Sequence, residues 1–453
     1  MTQTPNKKIV ILGAGIVGLS LAWHLKKHSA EELDITLLEA NSRVGGMIHT
    51  DWSSKALYEV GPHTLRLSHP FQETCMQLIE ELGLKDELLY ANDSMKKRYI
   101  GYDGQLFPFP MNPFKLLSLK NFRQIVLPLL RDSSKSLNDS KDPSIYDFFT
   151  RRYNSYITDN FIDPMVAGIF GGDLKKLSLK SCFPLINQLK DKNSSLFLAL
   201  LKHKRKYPSQ MISFKRGIAS LSERIAERLN AKIILNTPVQ ALRWSKKPTV
   251  VVKGASYECD HIFSCLPSAP LYSLLKEEPL KHAHILPEIN WVSFKVLHLG
   301  FKARLKIPKG FGFLTPSWKN EMIAGVLFDS SIFPEQNSIE HATRLTVLIH
   351  ERSTLYSLSD EEVIKGALSE LTKYLKCGLN PSFQKIHTVS KAIPQYEIGH
   401  AEKLKLFREE LKEKLPHFSF TGSSFYGTAV PSCIQQGRDE AIRYLSEKSY
   451  TAC

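Results

Sequence analysis

The 453-residue sequence predicts an α/β fold: a parallel-sheet unit opening the chain, a second domain built on an antiparallel sheet, and a helical segment between them. Three observations predict it. The apolar run Ile9-Val10-Ile11-Leu12 feeds Gly13-Ala14-Gly15-Ile16-Val17-Gly18, after which Leu19, Leu21, Ala22 and Leu25 carry a helical pattern. A second apolar run, Ile35-Thr36-Leu37-Leu38, ends in Glu39, 21 residues past Gly18. Far along the chain, stretches such as Ser293-Phe294-Lys295-Val296-Leu297-His298-Leu299-Gly300 read as strands.

The first two observations describe a strand–turn–helix–strand unit that holds a dinucleotide. Gly13 permits the tight turn, Gly15 lets the backbone approach a pyrophosphate, and Gly18 lets the helix pack close to the strand. Ala14, Ile16 and Val17 complete a turn whose free N–H groups face the phosphates. An acid at Glu39 accepts hydrogen bonds from ribose hydroxyls and repels a 2′-phosphate, which disfavours NADP. Arg43-Val44-Gly45-Gly46-Met47 follows directly, and its paired glycines suit a backbone running close to an extended cofactor. The residues themselves leave NAD and FAD open.

The net charge is +15, from 60 Lys+Arg against 45 Asp+Glu, and favours anionic partners such as lipid headgroups or acidic substrates. No recognition motif accompanies that charge, so nucleic acid is not an expected partner. Seven cysteines are scattered singly with no C-x-x-C, which fits reduced thiols in a cytoplasmic compartment. No leader peptide is read at the start, and no run reaches the roughly 20 apolar residues of a spanning helix. His24 and His28 stand four apart without a third ligand; they are expected to be solvated, and no metal is expected. No Ser/His/Asp or Cys/His constellation has supporting context.

The dinucleotide unit occupies 1–91. From 92 to 208 the chain reads as helical, basic and locally very apolar: Phe107-Pro108-Phe109-Pro110-Met111, Phe114-Lys115-Leu116-Leu117, the run from Phe122 through Ile125 and Leu129, and Leu196-Phe197-Leu198-Ala199-Leu200-Leu201 followed by Lys202, Lys204, Arg205 and Lys206. Such runs fit either interfacial insertion or ordinary core helices with solvated basic ends. Residues 132–143 read as an exposed loop. The α/β pattern returns over 209–267, alternating patterns with one helix fill 268–400, and 401–453 closes with a strand, a loop and a helix.

Glu39-x3-Arg43-x-Gly45-Gly46 resembles the flavin-containing amine oxidase superfamily, which implies FAD. Further segments resemble its oxygen-dependent protoporphyrinogen oxidases: Glu59-Val60-Gly61-Pro62-His63-Thr64-Leu65-Arg66, Lys97-Arg98-Tyr99-Ile100, Asp163-Pro164-Met165-Val166-Ala167-Gly168-Ile169-Phe170-Gly171-Gly172-Asp173, Gly310-Phe311-Gly312-Phe313-Leu314, Ile393-Pro394-Gln395-Tyr396-Glu397-Ile398-Gly399-His400 and Gly427-Thr428-Ala429-Val430-Pro431. Ala401 and Pro431 depart from residues found in some members. The resemblance implies a Rossmann-like FAD-binding domain (1–91, 209–267, 401–453), an antiparallel-sheet substrate domain (268–400) and a helical membrane-associated domain (92–208). Its implied FAD contacts are Gly13, Ala14, Gly15, Ile16, Val17, Gly18, Glu39, Arg43, Gly45, Gly46, Met47, Gly61, Pro62, His63, Thr64, Val239, Gly422, Thr428, Ala429 and Val430.

Its implied substrate contacts are Arg98, Gly168, Phe311, Phe313, Leu314 and Leu348. By itself Arg98 reads as a surface arginine beside Lys96 and Lys97, and each apolar residue singly reads nearly as well as sheet core. The implied reaction is oxidation of protoporphyrinogen IX to protoporphyrin IX by O2, removing six electrons with peroxide as product. The flavin carries the chemistry and no protein base is required. Coproporphyrinogen III oxidation, an amine oxidase or desaturase reaction, and a non-catalytic FAD protein remain alternatives. Expected partners are the porphyrinogen, O2, an anionic membrane surface held peripherally on the inner face of the cell membrane, and the next haem-pathway enzyme.

Overall fold

The computed structural model describes residues 6–53, 56–92, 95, 97–109, 122–132, 141–190, 195–319 and 321–449. A five-stranded sheet runs in the order Lys232–Ile234, Leu33–Leu38, Lys7–Leu12, His261–Ser264, Phe418–Phe420. Every pairing in it is parallel, with Ile9 opposite Ile35 on one side and His261 on the other. Three stretches far apart in sequence therefore build one layer. Its strands read as continuous apolar runs because helices cover both faces: Ile9, Ile11, Ile35 and Leu37 are all buried. The helices Ile16–His28 and Val430–Ser449 pack together on one face. They touch closely because Gly437 has no side chain; a Cβ there would sit 2.7 Å from the Leu21 nitrogen.

The larger sheet has seven strands, in the order Phe383–Pro394, Trp291–Phe301, Thr343–His350, Gly325–Leu327, Gly312–Leu314, Arg98–Tyr102, Gln105–Phe109. The sequence predicts an antiparallel sheet within 268–400 and a helical stretch before it, and two findings correct that. Residues 98–109, read as part of a helical stretch, form a hairpin that extends this sheet, and its pairing to Gly312–Leu314 is parallel. One face packs on the helix Asp360–Leu375, which starts with a Ser359/Glu362 capping box and buries Val363, Ala367, Leu371 and Tyr374. The opposite face looks toward the parallel sheet across a cavity.

Between 122 and 206 the described residues form short helices around a core containing Phe148, Phe149, Val166, Phe170 and Leu196. Asp132, expected in an exposed loop, is 1% exposed. Its carboxylate ion-pairs with Arg152 Nε and accepts from Ser195 Oγ at 2.7 Å and the Phe197 N–H at 3.0 Å. It ties the helix Ile145–Arg152 to the helix Leu196–Lys206. Burial pushes this carboxyl up, but those donors outweigh it and hold its pKa below the ordinary value. Ile125 is also core, at 5% exposure, while Leu127 is exposed. The apolar residues Met111 and 114–117, and the side chains of Phe122 and Arg205, lie outside what is described.

His24, expected in solvent, is buried in the helix Ile16–His28, with its ring stacked on that of His28. Burial first, then His28, Lys27 and Arg438, push its pKa down to about 4.

Candidate functional site

A cavity of about 1530 Å³ runs from the Gly13–Val17 turn to the large sheet. That exceeds the ~300–1,000 Å³ typical of a single small-ligand pocket, so it has room for two molecules end to end. Its first end is built by the parallel sheet. The turn after Lys7–Leu12 begins at Gly13, whose φ of +96° only glycine adopts readily. Gly15 is the open position: a Cβ there would meet nothing closer than Gly46 Cα at 3.8 Å. Gly18 faces inward instead, where a Cβ would lie 2.1 Å from the Gly13 carbonyl oxygen. The second glycine is thus free for a ligand and the third is consumed by packing.

Glu39 is 6% exposed at the end of Leu33–Leu38. Its Oε2 accepts from the Ala14 N–H at 2.8 Å, and Oε1 accepts from the Asn41 N–H at 2.9 Å and Nδ2 at 2.7 Å. A carboxylate has about four acceptor sites, so Oε2 keeps capacity for one more donor. Gly45, with φ +98°, bridges to Gly15 and brings the second glycine loop across the cavity floor. Arg43 lines the cavity, but its guanidinium is committed to the carbonyls of Val44 at 3.1 Å, Ile48 at 2.9 Å and Gly46 at 2.8 Å. It shapes the glycine loop.

Of the remaining sequence-predicted residues, Ile16, Val17, Gly46, Met47, Gly61, Pro62, His63, Thr64, Val239, Thr428 and Val430 line the same cavity. Ala14, Gly18, Gly422 and Ala429 stand behind its wall: Ala14 binds Glu39, and the Ala429 carbonyl accepts from the Cys433 N–H at 2.9 Å.

At the far end stand Arg98, Gly168, Phe311, Phe313, Leu314 and Leu348. Arg98 opens the strand Arg98–Tyr102, and its Cζ lies 5.5 Å from the centre of the Phe311 ring. Burial, then the neighbouring Arg66, lower its pKa from the ordinary arginine value. Gly168 differs from expectation. It sits in the helix Asp163–Phe170, and a Cβ there would fall 2.3 Å from Leu314 Cδ1. Its bareness seats Leu314 against the helix. Phe313 differs too: its ring is 1% exposed, packed against Tyr374 with centroids 4.8 Å apart, so it belongs mostly to the core under the sheet.

The sequence names His63 as a cofactor contact but not the polar groups that hold it. His63 Nδ1 lies 2.9 Å from Asp329 Oδ1, and Asp329 Oδ2 accepts from Thr346 Oγ1 at 2.7 Å. Burial pushes Asp329 up, but His63 and Arg344 more than compensate and leave its pKa below the usual carboxylate value. Glu59 accepts from Thr50 Oγ1 and from the Ile218 N–H, both at 2.8 Å, yet burial raises its pKa to about 7. Asp329 and Thr346 lie in no spacing motif that would have singled them out, and Glu59 stands in a resembling segment that assigned it no role.

The model of the flavin containing amine oxidoreductase family matches residues 16–444. The chain belongs to that family. This flavin-containing amine oxidoreductase is 30% identical to a protoporphyrinogen oxidase of Bos taurus, over 97% of this chain and 98% of the relative. It is 28% identical to a coproporphyrinogen III oxidase of Bacillus subtilis (strain 168), over 97% of this chain and 99% of that protein. A solved structure from Exiguobacterium sp. 255-15, provisionally named a protoporphyrinogen oxidase, superposes with TM-score 0.85 at 23% identity, covering 98% of this chain and all of that one. The fold is the mixed α/β flavin amine oxidase fold, with parallel and antiparallel sheets. The cofactor is FAD, and the residues present fit it: an open Gly15, a second glycine loop and a buried acid with a free acceptor site surround one elongated space.

Proposed function

We propose that this FAD-dependent oxidase converts protoporphyrinogen IX to protoporphyrin IX with O2 as acceptor. The observation that carries the reading is one continuous cavity with a dinucleotide cradle at one end and, at the other, an apolar slot bearing Arg98. FAD bound in the cradle supplies the acceptor for the substrate's hydrides and their delivery to O2. Gly13, Gly15 and Gly46 would leave room for its pyrophosphate, Glu39 Oε2 would accept from a ribose hydroxyl, and the loop Gly61–Thr64 would border its ring system. His63 is held by Asp329 and shapes that border.

The remaining work is positioning. Phe311, Leu314 and Leu348 exclude water and hold the flexible apolar macrocycle. An apolar slot cannot by itself choose which meso carbon is presented, so Arg98 grips a propionate by its guanidinium fork and sets the orientation. Phe311 stacks against that guanidinium and keeps it pointed. Coproporphyrinogen III is the alternative substrate of the same chemistry.

The described residues contain no helix long and apolar enough to cross a membrane. The helix Leu196–Lys206 nevertheless exposes Phe197 at 44% and Leu198 at 54%, with Lys202, Lys204 and Lys206 exposed beyond them. This pattern suits peripheral docking on an anionic inner membrane face, where an apolar product could be passed to the next haem-pathway enzyme. The reaction is tested by mixing purified protein with the colourless protoporphyrinogen IX in air. Red protoporphyrin fluorescence should grow with peroxide; no fluorescence above the no-enzyme rate would sink the reading.

A further inference from the structure

The substrate end of the cavity holds two arginines and, among the described residues lining it, no acid to pair with them: the only acid on the wall is Glu39, at the cradle. Arg98 is one. The other is Arg66, in the short strand Leu65–Leu67. Leu65 and Leu67 are fully buried in the core under the parallel sheet. Strand alternation therefore sends Arg66 the opposite way, onto the cavity wall. Pairing of Leu65 with Ile212 and Leu67 with Gln210 locks that register. Neither Arg66 nor Arg98 makes an ion pair or hydrogen bond with another described residue, and among those residues Arg98's one partner is the Phe311 ring. The two are close enough for Arg66 to disfavour the charge on Arg98. Two like charges on one wall, Arg98 half-buried and Arg66 exposed at its rim, with no acid beside them among the described residues, are stabilised by a ligand bringing two negative charges.

We infer that Arg66 is a second carboxylate anchor beside Arg98, so that the cavity holds two neighbouring carboxylates on one edge of its substrate and favours a dicarboxylate porphyrinogen over a tetracarboxylate one. The inference rests on the porphyrinogen reading above. Protoporphyrinogen IX carries its two propionates on adjacent pyrrole rings, matching two adjacent forks. Coproporphyrinogen III adds two more on the far edge. The only other lysine or arginine among the described lining residues is Arg43, which is committed to three loop carbonyls. The extra carboxylates would enter a slot of Phe311, Leu314 and Leu348 without a cation, at a desolvation cost.

The test compares wild type, Arg66→Gln, Arg66→Lys and Arg98→Gln on protoporphyrinogen IX, its dimethyl ester and coproporphyrinogen III. Binding of protoporphyrin IX, followed by fluorescence quenching, is read alongside, with flavin absorbance as the control for fold. A hydrogen bond to a charged partner corresponds to about a ten- to hundredfold effect. Arg66→Gln should lower kcat/KM on the diacid by about that factor, weaken protoporphyrin binding in parallel, and leave the ester within about threefold. Arg66→Lys keeps the charge, fills the fold requirement if the glutamine variant does not, and should lie between. Wild type should turn over coproporphyrinogen III less efficiently than protoporphyrinogen IX. Equal losses on diacid and ester, an Arg66→Gln variant with wild-type binding, or a preference for coproporphyrinogen III would each overturn the inference. Wild type that oxidises no porphyrinogen overturns the reaction itself, whereas normal wild-type turnover with an indifferent Arg66 overturns only this second anchor.

Discussion

At the scale of the residue, two glycines only three apart in sequence have opposite fates. Gly15 is open to the cavity and Gly18 is sealed into the strand–helix contact. Gly15→Val therefore fits the protein and fills the cradle. The variant should purify colourless, with the thermal stability of flavin-free wild type. Gly18→Ala should lose stability outright, because its Cβ meets backbone. A yellow Gly15→Val would show that the cofactor does not lie on this turn. Glu59 supports a pH prediction. Its pKa of about 7 in the folded state lies above the usual carboxylate value because burial disfavours its charge. The folded state binds the extra proton, so this group contributes stability at low pH and loses it as pH rises from about 4.5 to about 7. Glu59→Gln mimics the protonated form and keeps an acceptor for Ile218. The difference in Tm between variant and wild type should grow in favour of the variant across that window; a pH-independent difference would show that Glu59 ionises normally.

At the scale of the element, the helices between 122 and 206 are held by a polar hub as well as by apolar packing. Asp132 and Arg152 are almost wholly buried as an ion pair. Removing one partner of such a pair leaves the other charge stranded and typically costs about 3–5 kcal/mol. Asp132→Ala should therefore lower the unfolding free energy by several kcal/mol, and Arg152→Ala by a similar amount. The double variant should cost less than the sum, since neither charge is then stranded. Additive losses in urea unfolding would argue that the pair is not coupled. The same hub orients the helix Leu196–Lys206, whose exposed Phe197 and Leu198 carry the docking proposal.

At the scale of the whole molecule, the membrane proposal joins a net charge of +15 to an exposed apolar, lysine-rich helix. The protein should co-sediment with anionic vesicles more strongly than with neutral ones, and rising salt should weaken the attraction as the Debye length shrinks. Phe197→Ser with Leu198→Ser should release it from anionic vesicles without changing flavin content. Binding indifferent to lipid charge, or unaffected by these substitutions, would return the helix to ordinary surface. Ile125, which the apolar run alone placed with the inserting residues, is buried and unsuited to this test.

The sequence by itself determined the cradle, because every part of it is local: an apolar strand, three glycines at fixed offsets and an acid at the end of the next strand need only short-range geometry to be read. It also carried Arg98 and the apolar slot, through a resemblance over the length of the chain. Tertiary structure alone decided what those residues meet. Gly168 turned out to seat Leu314, and the Phe313 ring to lie in the core, because helix and sheet converge there. Residues 98–109 became sheet because an open edge at Gly312–Leu314 accepted them. Asp132 found Arg152 and Ser195, and His63 found Asp329, 266 residues away. Arg66 came to share a wall with Arg98 only because two different sheets face one cavity. Such pairings have no sequence period. They arise when distant segments bury apolar faces against each other and the polar groups carried along must find partners or a ligand.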